Sequence, residues 1–144
     1  MNIAFFLLPK QEVVCVNHDA TLRQTLERME YHRYSAVPII DENGGYIGTV
    51  TEGDLLWYMK SRPEITFEQS NKIRLLDVPR RIVNRTVRID ANMDDLISLS
   101  KVQNFVPVVD DMNRFIGIVR RSEIIDYCQK IIMNTHDHAF NEFK

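Results

Sequence analysis

Cysteine is scarce: Cys15 and Cys128 are the only two in 144 residues. They lie far apart and no secretory signal precedes them, which argues against a disulfide-stapled scaffold. Long apolar runs are missing as well. The longest early one, Ile3 to Leu8, stops after six residues at Pro9 and has no basic stretch before it. A membrane span wants ~20 apolar residues, so a membrane anchor is not expected and a cytoplasmic protein is. Nor is there a dominant charge. Eighteen basic residues stand against twenty acidic ones, so neither a nucleic-acid coat nor a polybasic membrane binder is expected. Finally, the chain has no G-x-S-x-G, P-loop or dinucleotide-binding fingerprint, and no nucleophile with a base and oxyanion donors. The sequence shows no carrier for catalysis and calls for no catalytic cofactor.

What the chain does have is one unit written twice. AVPIIDENGGYIGTVTEGDLLWYM (36–59) aligns without a gap to FVPVVDDMNRFIGIVRRSEIIDYC (105–128). Pro38 pairs with Pro107, Asp41 with Asp110, Gly48 with Gly117, Asp54 with Glu123 and Tyr58 with Tyr127, all 69 positions apart. Upstream, Asp19-Ala20-Thr21-Leu22 pairs with Asp90-Ala91-Asn92-Met93 at an offset of 71, so the second copy lacks two residues in its first helix.

Hydrophobic periodicity then reads each copy as strand, helix, strand, strand, helix. Val13–Val16 and Val87–Ile89 are the opening strands. The first helix of copy one carries Leu22, Leu26 and Met29 on one face, and in copy two Met93, Leu96, Ile97 and Val102 do the same work. Pro38 donates no ladder hydrogen bond, so its position is expected at a strand start or an edge. Residues 41–45 and 110–114 form the hairpin turns. The organisation expected is an N-terminal segment (1–12) able to pack as a short helix, unit 1 (13–60), a linker with a short helix (61–85), unit 2 (86–132) and a tail (133–144). Neither unit has much core alone, so an α+β fold is expected in which the two bury their sheets against each other about a pseudo-twofold axis.

A unit with h-P-h-h-D followed by G-h-h-T-x-x-D at a helix start resembles the CBS domain, and two in tandem resemble the CBS pair, or Bateman module. The resemblance covers about residues 10–130. It implies β-α-β-β-α units, two clefts between them, pairing of modules into a flat homodimer, and clefts that commonly hold AMP, ADP, ATP or cyclic di-AMP.

Thr51 and Asp54 are the first candidate site. Thr51 stands where a strand gives way to a helix, so its hydroxyl and the free helical N–H groups suit a phosphate. Asp54, one turn on, is an acceptor able to take both hydroxyls of a ribose. The same spacing is also a capping box that stabilises a helix without any ligand, and the residues alone leave both readings open. The resemblance implies the ribose role, with the adenine received by the other unit at Thr86, Val87, Ala91, Val106 and Pro107. In the basic stretch Arg80, Arg81, Arg85 and Arg88, the resemblance singles out Arg81 and Arg85 as phosphate contacts.

The second cleft departs from this pattern, with Arg120, Arg121 and Glu123 beside Val14, Val16, Ala20 and Val37. Arg120 offers a planar fork for phosphate oxygens, or it simply pairs with Glu123 across one helix turn. His136, Asp137 and His138 form no expected metal site. Cys128 reads as core. Trp57, Tyr58 and Tyr127, with Phe5, Phe6, Phe140 and Phe143, suggest a surface for a homodimer. The reading is a non-catalytic module that binds an adenine nucleotide and signals to a protein effector. Alternatives are a cyclic di-AMP sensor and an interaction module with no ligand.

Overall fold

In a computed structural model the backbone is described for residues 2–142 and side chains for residues 2–136; Asp137, His138, Phe140 and Phe143 lie outside the described side chains. Unit 1 consists of β2 (Val16–Asn17), α1 (Leu22–His32), β3 (Ala36–Ile40), β4 (Tyr46–Thr51) and α2 (Glu52–Ser61). Unit 2 repeats it as β5 (Val87–Arg88), α3 (Met93–Ser100), β6 (Phe105–Val109), β7 (Phe115–Arg120) and α4 (Arg121–Glu142). Three of the helix starts show their cause. Thr51 and Asp54 form a reciprocal capping box on α2, Thr21 and Gln24 do so on α1, and Asn92 caps α3. The hairpin turns are built alike. Asp41 Oδ1 accepts from Asn43 N and Gly45 N, Asp110 Oδ1 from Met112 N and Arg114 N. The reversal needs one positive φ, supplied by Gly44 (81°) in the first turn and by Asn113 (61°) in the second.

One sheet has the order β2-β3-β4. The other has four strands, with β1 (Leu8–Pro9) added at the edge of unit 2 in the order β1-β7-β6-β5. The unit cores lie between sheet and helices, around Leu22, Met29, Val37, Val50 and Leu55 in unit 1 and Met93, Leu96, Val106, Val119 and Ile124 in unit 2. A third cluster, Tyr46, Phe105, Val109, Phe115 and Ile118, joins the two sheets. There the rings of Tyr46 and Phe115 stack with centroids 6.3 Å apart, and the two hairpin tips hydrogen-bond through Phe115 N to Gly44 O (2.8 Å). The sheets therefore face each other, with matching positions of the repeat meeting across the junction.

The segments that lead into the units are exchanged. Ile3 is completely buried, and it packs in the core of unit 2 rather than in the unit that follows it. Leu8 and Pro9 pair antiparallel with Ile118 and Gly117. In the same way Leu75 and Val78, which precede unit 2, are buried in the core of unit 1. Leu22 N donates to Ile73 O (2.8 Å) and Leu75 N to Ala20 O (2.9 Å), knitting the linker to the start of α1. Burying a side chain of this size contributes roughly 1.5–3 kcal/mol, so each unit draws a substantial share of its core from the other's leader.

Several expectations change. The opening strands shrink to Val16–Asn17 and Val87–Arg88, because only those residues pair with β3 and β6. Pro38 sits inside the central strand, not at its start. Parallel β2 reaches only Ile39 and Ile40, so on that side Pro38 has no neighbour requiring its missing N–H. Val102 is 65% exposed, since α3 ends at Ser100 and the chain has turned by then. The leading segment forms two 3-10 turns, Ile3–Phe6 and Lys10–Glu12, and so does the linker, Gln69–Lys72 and Leu75–Asp77.

Candidate functional site

Strand β4 delivers Thr51 to the first turn of α2, and the capping box then fixes Asp54. Thr51 Oγ1 accepts from Asp54 N (3.1 Å) while Asp54 Oδ2 accepts from Thr51 N (2.9 Å). The second carboxylate oxygen is engaged too, since Oδ1 accepts from the backbone N of Arg81 at 3.0 Å. Asp54 is only 4% exposed. The first cleft thus has the carboxylate and hydroxyl side by side, but the linker lies across them.

The remaining first-cleft candidates divide by strand alternation. Val87 and Val106 point into the core of unit 2, so these two do not line the cleft, and Ala91 packs half-buried against the same core. Pro107 shares the opposite face of β6 with Phe105 and Val109, which join the inter-sheet cluster. Thr86 is half-buried at the approach to β5. The guanidinium of Arg81 lies 5.8 Å from the centre of the Trp57 ring, and the backbone of Arg85 is held by Gln103. Deeper in, the Tyr46 hydroxyl and Thr49 Oγ1 are 2.6 Å apart. Burial pushes the Tyr46 phenol above its ordinary range, against the opposing pull of the Thr49 hydrogen bond and the Arg80 charge.

The second cleft contains a cavity of about 200 Å³. Its walls are apolar, with Val13, Val14, Ala36, Pro38, Phe105 and Ile118, and Glu12, Tyr34, Asn104 and Arg120 stand around it. Val14 and Arg120 both stand at this cavity. Arg120 Nη2 donates to Glu123 Oε1 at 3.2 Å, and both side chains are partly exposed. Val16 and Val37 belong to the core of unit 1, and Ala20 packs on it. Arg121 turns away, donating from Nε to Gln103 O (3.0 Å). The error is one of register. Choosing Val37 selects the core face of β3, whereas Ala36 and Pro38 on either side face the cavity. That alternation was the available signal for the missed residues.

Gln103 was missed altogether. It is 2% exposed, with Oε1 accepting from Arg85 N (2.8 Å) and Nε2 donating to Arg85 O (3.1 Å) and Phe105 O (3.2 Å). No sequence pattern marks a buried polar residue whose partners are backbone groups of another segment.

Other candidates are set aside by their contacts. Tyr127 is half-buried and packs edge-on against Phe6 within the chain (5.5 Å between centroids). His18 sits 2.8 Å from Glu42. Cys15 has its thiol pushed up to about 11 by burial, only partly offset by the Arg28 charge, which makes it a poor nucleophile. Cys128 is half-buried on α4. Among the described residues no group of three or more His, Cys, Asp or Glu is placed to hold a metal ion, and no helix is long and apolar enough to cross a membrane.

Comparison with known proteins follows these lines. A CBS domain-containing protein of Dictyostelium discoideum is 27% identical over 138 residues, spanning 92% of this chain and 95% of that one. The crystal structure of CbpB in complex with c-di-AMP is similar with a TM-score of 0.79 at 20% identity, covering 96% of this chain and 91% of the other. That of CBSX2 in complex with AMP gives 0.71 at 22% identity, covering 90% and 97%. The CBS domain family model matches twice, at residues 7–61 and 77–130. With both halves matched and the two sheets packed face to face, this chain belongs to the CBS domain family, as a non-catalytic regulatory module of two units.

Proposed function

We propose that this protein binds an adenine nucleotide between its two units, with cyclic di-AMP as the ligand, and conveys occupancy to a protein effector. The observation that carries the reading is the cavity at the second cleft: an apolar slot between the two sheets, with a guanidinium at its edge. Val14, Ala36, Pro38 and Phe105 offer flat apolar contact to a purine, and Arg120 is the donor for phosphate oxygens. At about 200 Å³ the slot holds one base, below the ~300–1,000 Å³ of a pocket enclosing a whole ligand. The rest of a cyclic dinucleotide lies at the mouth, beside Tyr34 and Arg120. The similarity to CbpB, whose complex holds c-di-AMP, extends over more of the chain than that to CBSX2, whose complex holds AMP, and supports the cyclic ligand.

Calorimetry with cyclic di-AMP, AMP, ADP and ATP tests this, with Arg120→Ala and Asp54→Ala as variants. Losing a charge-assisted hydrogen bond costs about 1.5–3 kcal/mol, so Arg120→Ala weakens cyclic di-AMP binding at the second cleft by about tenfold or more. Asp54→Ala is expected to do the same at the first. Absence of heat with every nucleotide would leave the ligand-free interaction module as the better description.

The partner surface in this proposal is helical. Leu56 on α2 and Ile125 on α4 occupy equivalent positions of the repeat, and they are 60% and 58% exposed. Their matched exposure supports a homodimer built on these faces. Leu56→Glu with Ile125→Glu should convert a sedimenting dimer to monomer; an unchanged sedimentation coefficient would count against these faces.

A further inference from the structure

We infer that residues 80–84 form a strap across the first cleft, which the nucleotide displaces by taking over the carboxylate of Asp54. This deepens the nucleotide reading and rests on it. A carboxylate has about four acceptor positions. Two of Asp54's are taken, by Thr51 N and Arg81 N, yet the residue is 4% exposed, so the remaining capacity has no access from solvent. Something must move before a ribose can reach it. Strand β4 and helix α2 are anchored by Val50 and Leu55 in the core. The strap instead exposes Arg80, Arg81, Ile82 and Val83, and its span is the element able to lift.

Both of its ends are fixed. At Arg85 the buried Gln103 grips both backbone N–H and C=O. At the other end Pro79 follows Val78, which is buried in the core of unit 1. Between these ends the contact with Asp54 is the single bond from Arg81 N. That bond is a latch on the span, and it uses the group that a ribose diol would use. The strap also carries cations over the helix start. Arg80 covers Gly48 so closely that a Cβ there would stand 3.0 Å from its guanidinium carbon, and Arg81 lies over Trp57. Phosphates arriving at this place meet charges that the strap brings with it. At the apex, Ile82 and Val83 are exposed apolar side chains. Unlatching shifts them, which gives the effector a surface that reports occupancy.

The test is amide hydrogen exchange by NMR on the full chain, with calorimetry in parallel and AMP and cyclic di-AMP as probes. On saturation, the Arg81 amide should exchange at least about tenfold faster while the Arg85 amide keeps its protection. Binding heat with Arg81 protection unchanged or increased overturns the strap alone. No heat with either probe removes the nucleotide reading, and the strap with it. A second comparison isolates the latch: Arg81→Ala keeps the backbone N–H, whereas Arg81→Pro deletes it. With both variants folded by circular dichroism, Arg81→Pro should bind about tenfold more tightly than Arg81→Ala, and equal or weaker binding contradicts the mechanism. Should Arg81→Pro not fold, the exchange experiment decides alone.

Discussion

Replacing Ile3 by alanine is the sharpest probe of the exchanged leaders. Ile3 is the third residue of the chain, where substitutions are usually harmless because ends fray. Here its side chain is 0% exposed and contacts a core built from residues 87–124. Ile→Ala in a well-packed core costs about 2–5 kcal/mol, less where the site can collapse. A leader held by one short strand can relax, which points to the lower end, about 2–3 kcal/mol. For a urea slope of about 2 kcal/mol/M, the midpoint falls by roughly 1–1.5 M at unchanged slope. The assay is equilibrium urea unfolding followed by circular dichroism and by Trp57 fluorescence. Trp57 belongs to unit 1, so the exchange predicts that its signal shifts together with the circular dichroism although the mutation lies in the core of unit 2. A midpoint change below about 0.2 M refutes the packing role of Ile3. Separate transitions for the two probes would refute the coupling.

Two further outcomes follow from the same geometry. A Cβ on Gly117 would stand 2.3 Å from the backbone oxygen of Leu8, so Gly117→Ala must push β1 off the sheet; one on Gly45 would meet only the side chain of Asp41, at 2.7 Å. Melting temperature should therefore fall more for Gly117→Ala than for Gly45→Ala, with new protease cuts near residues 7–13 in the former only. Asp110 has its pKa held below the ordinary carboxylate range, chiefly by the hydrogen bond from Arg114 N, with Met112 N and the Arg114 and Lys10 charges assisting. A depressed folded-state pKa stabilises the fold above the unfolded value, ~3.9 for Asp, and that contribution is lost as pH falls through the depressed one. The gap between wild type and Asp110→Ala in urea midpoint should be present at pH 7 and shrink below about pH 4; a gap independent of pH would contradict the assignment.

What could be read from the sequence was local or repeated. The match of 36–59 to 105–128 captures β3, β4 and α2 with their counterparts, because turn chemistry and a helix cap act over a few residues. On β3 the face was off by one position: Val37 turns into the core, while Ala36 and Pro38 face the cavity. On β6 the resemblance brings in Val106 together with Pro107, although the two lie on opposite faces and Val106 belongs to the core. Exchange of the leaders was illegible for a different reason. Ile3 and Leu75 are apolar residues in short segments, and nothing local says which of two similar cores will receive them. Gln103 hides in the same way. Its value lies in pairing with Arg85 and Phe105, a satisfaction of backbone groups that only the assembled chain displays.

The two clefts differ because their leaders differ. After β1 the chain makes a 3-10 turn over Lys10–Glu12 and then runs past Val13 and Val14, leaving a hollow between the sheets. After Pro79 it continues instead as residues 80–86, which drop onto Asp54. The strands reinforce the contrast. Where β7 offers Ile118 to the hollow, β4 has Thr49 at the matching position, bonded to Tyr46 beneath the arginines. One cleft is thus apolar and open, the other polar and latched by its own backbone. On the proposed reading a nucleotide enters the open second cleft directly, while at the first cleft it must trade a protein hydrogen bond for a ligand one. Such an exchange shifts the proposed strap's equilibrium only by the ligand's differential affinity for the latched and unlatched states.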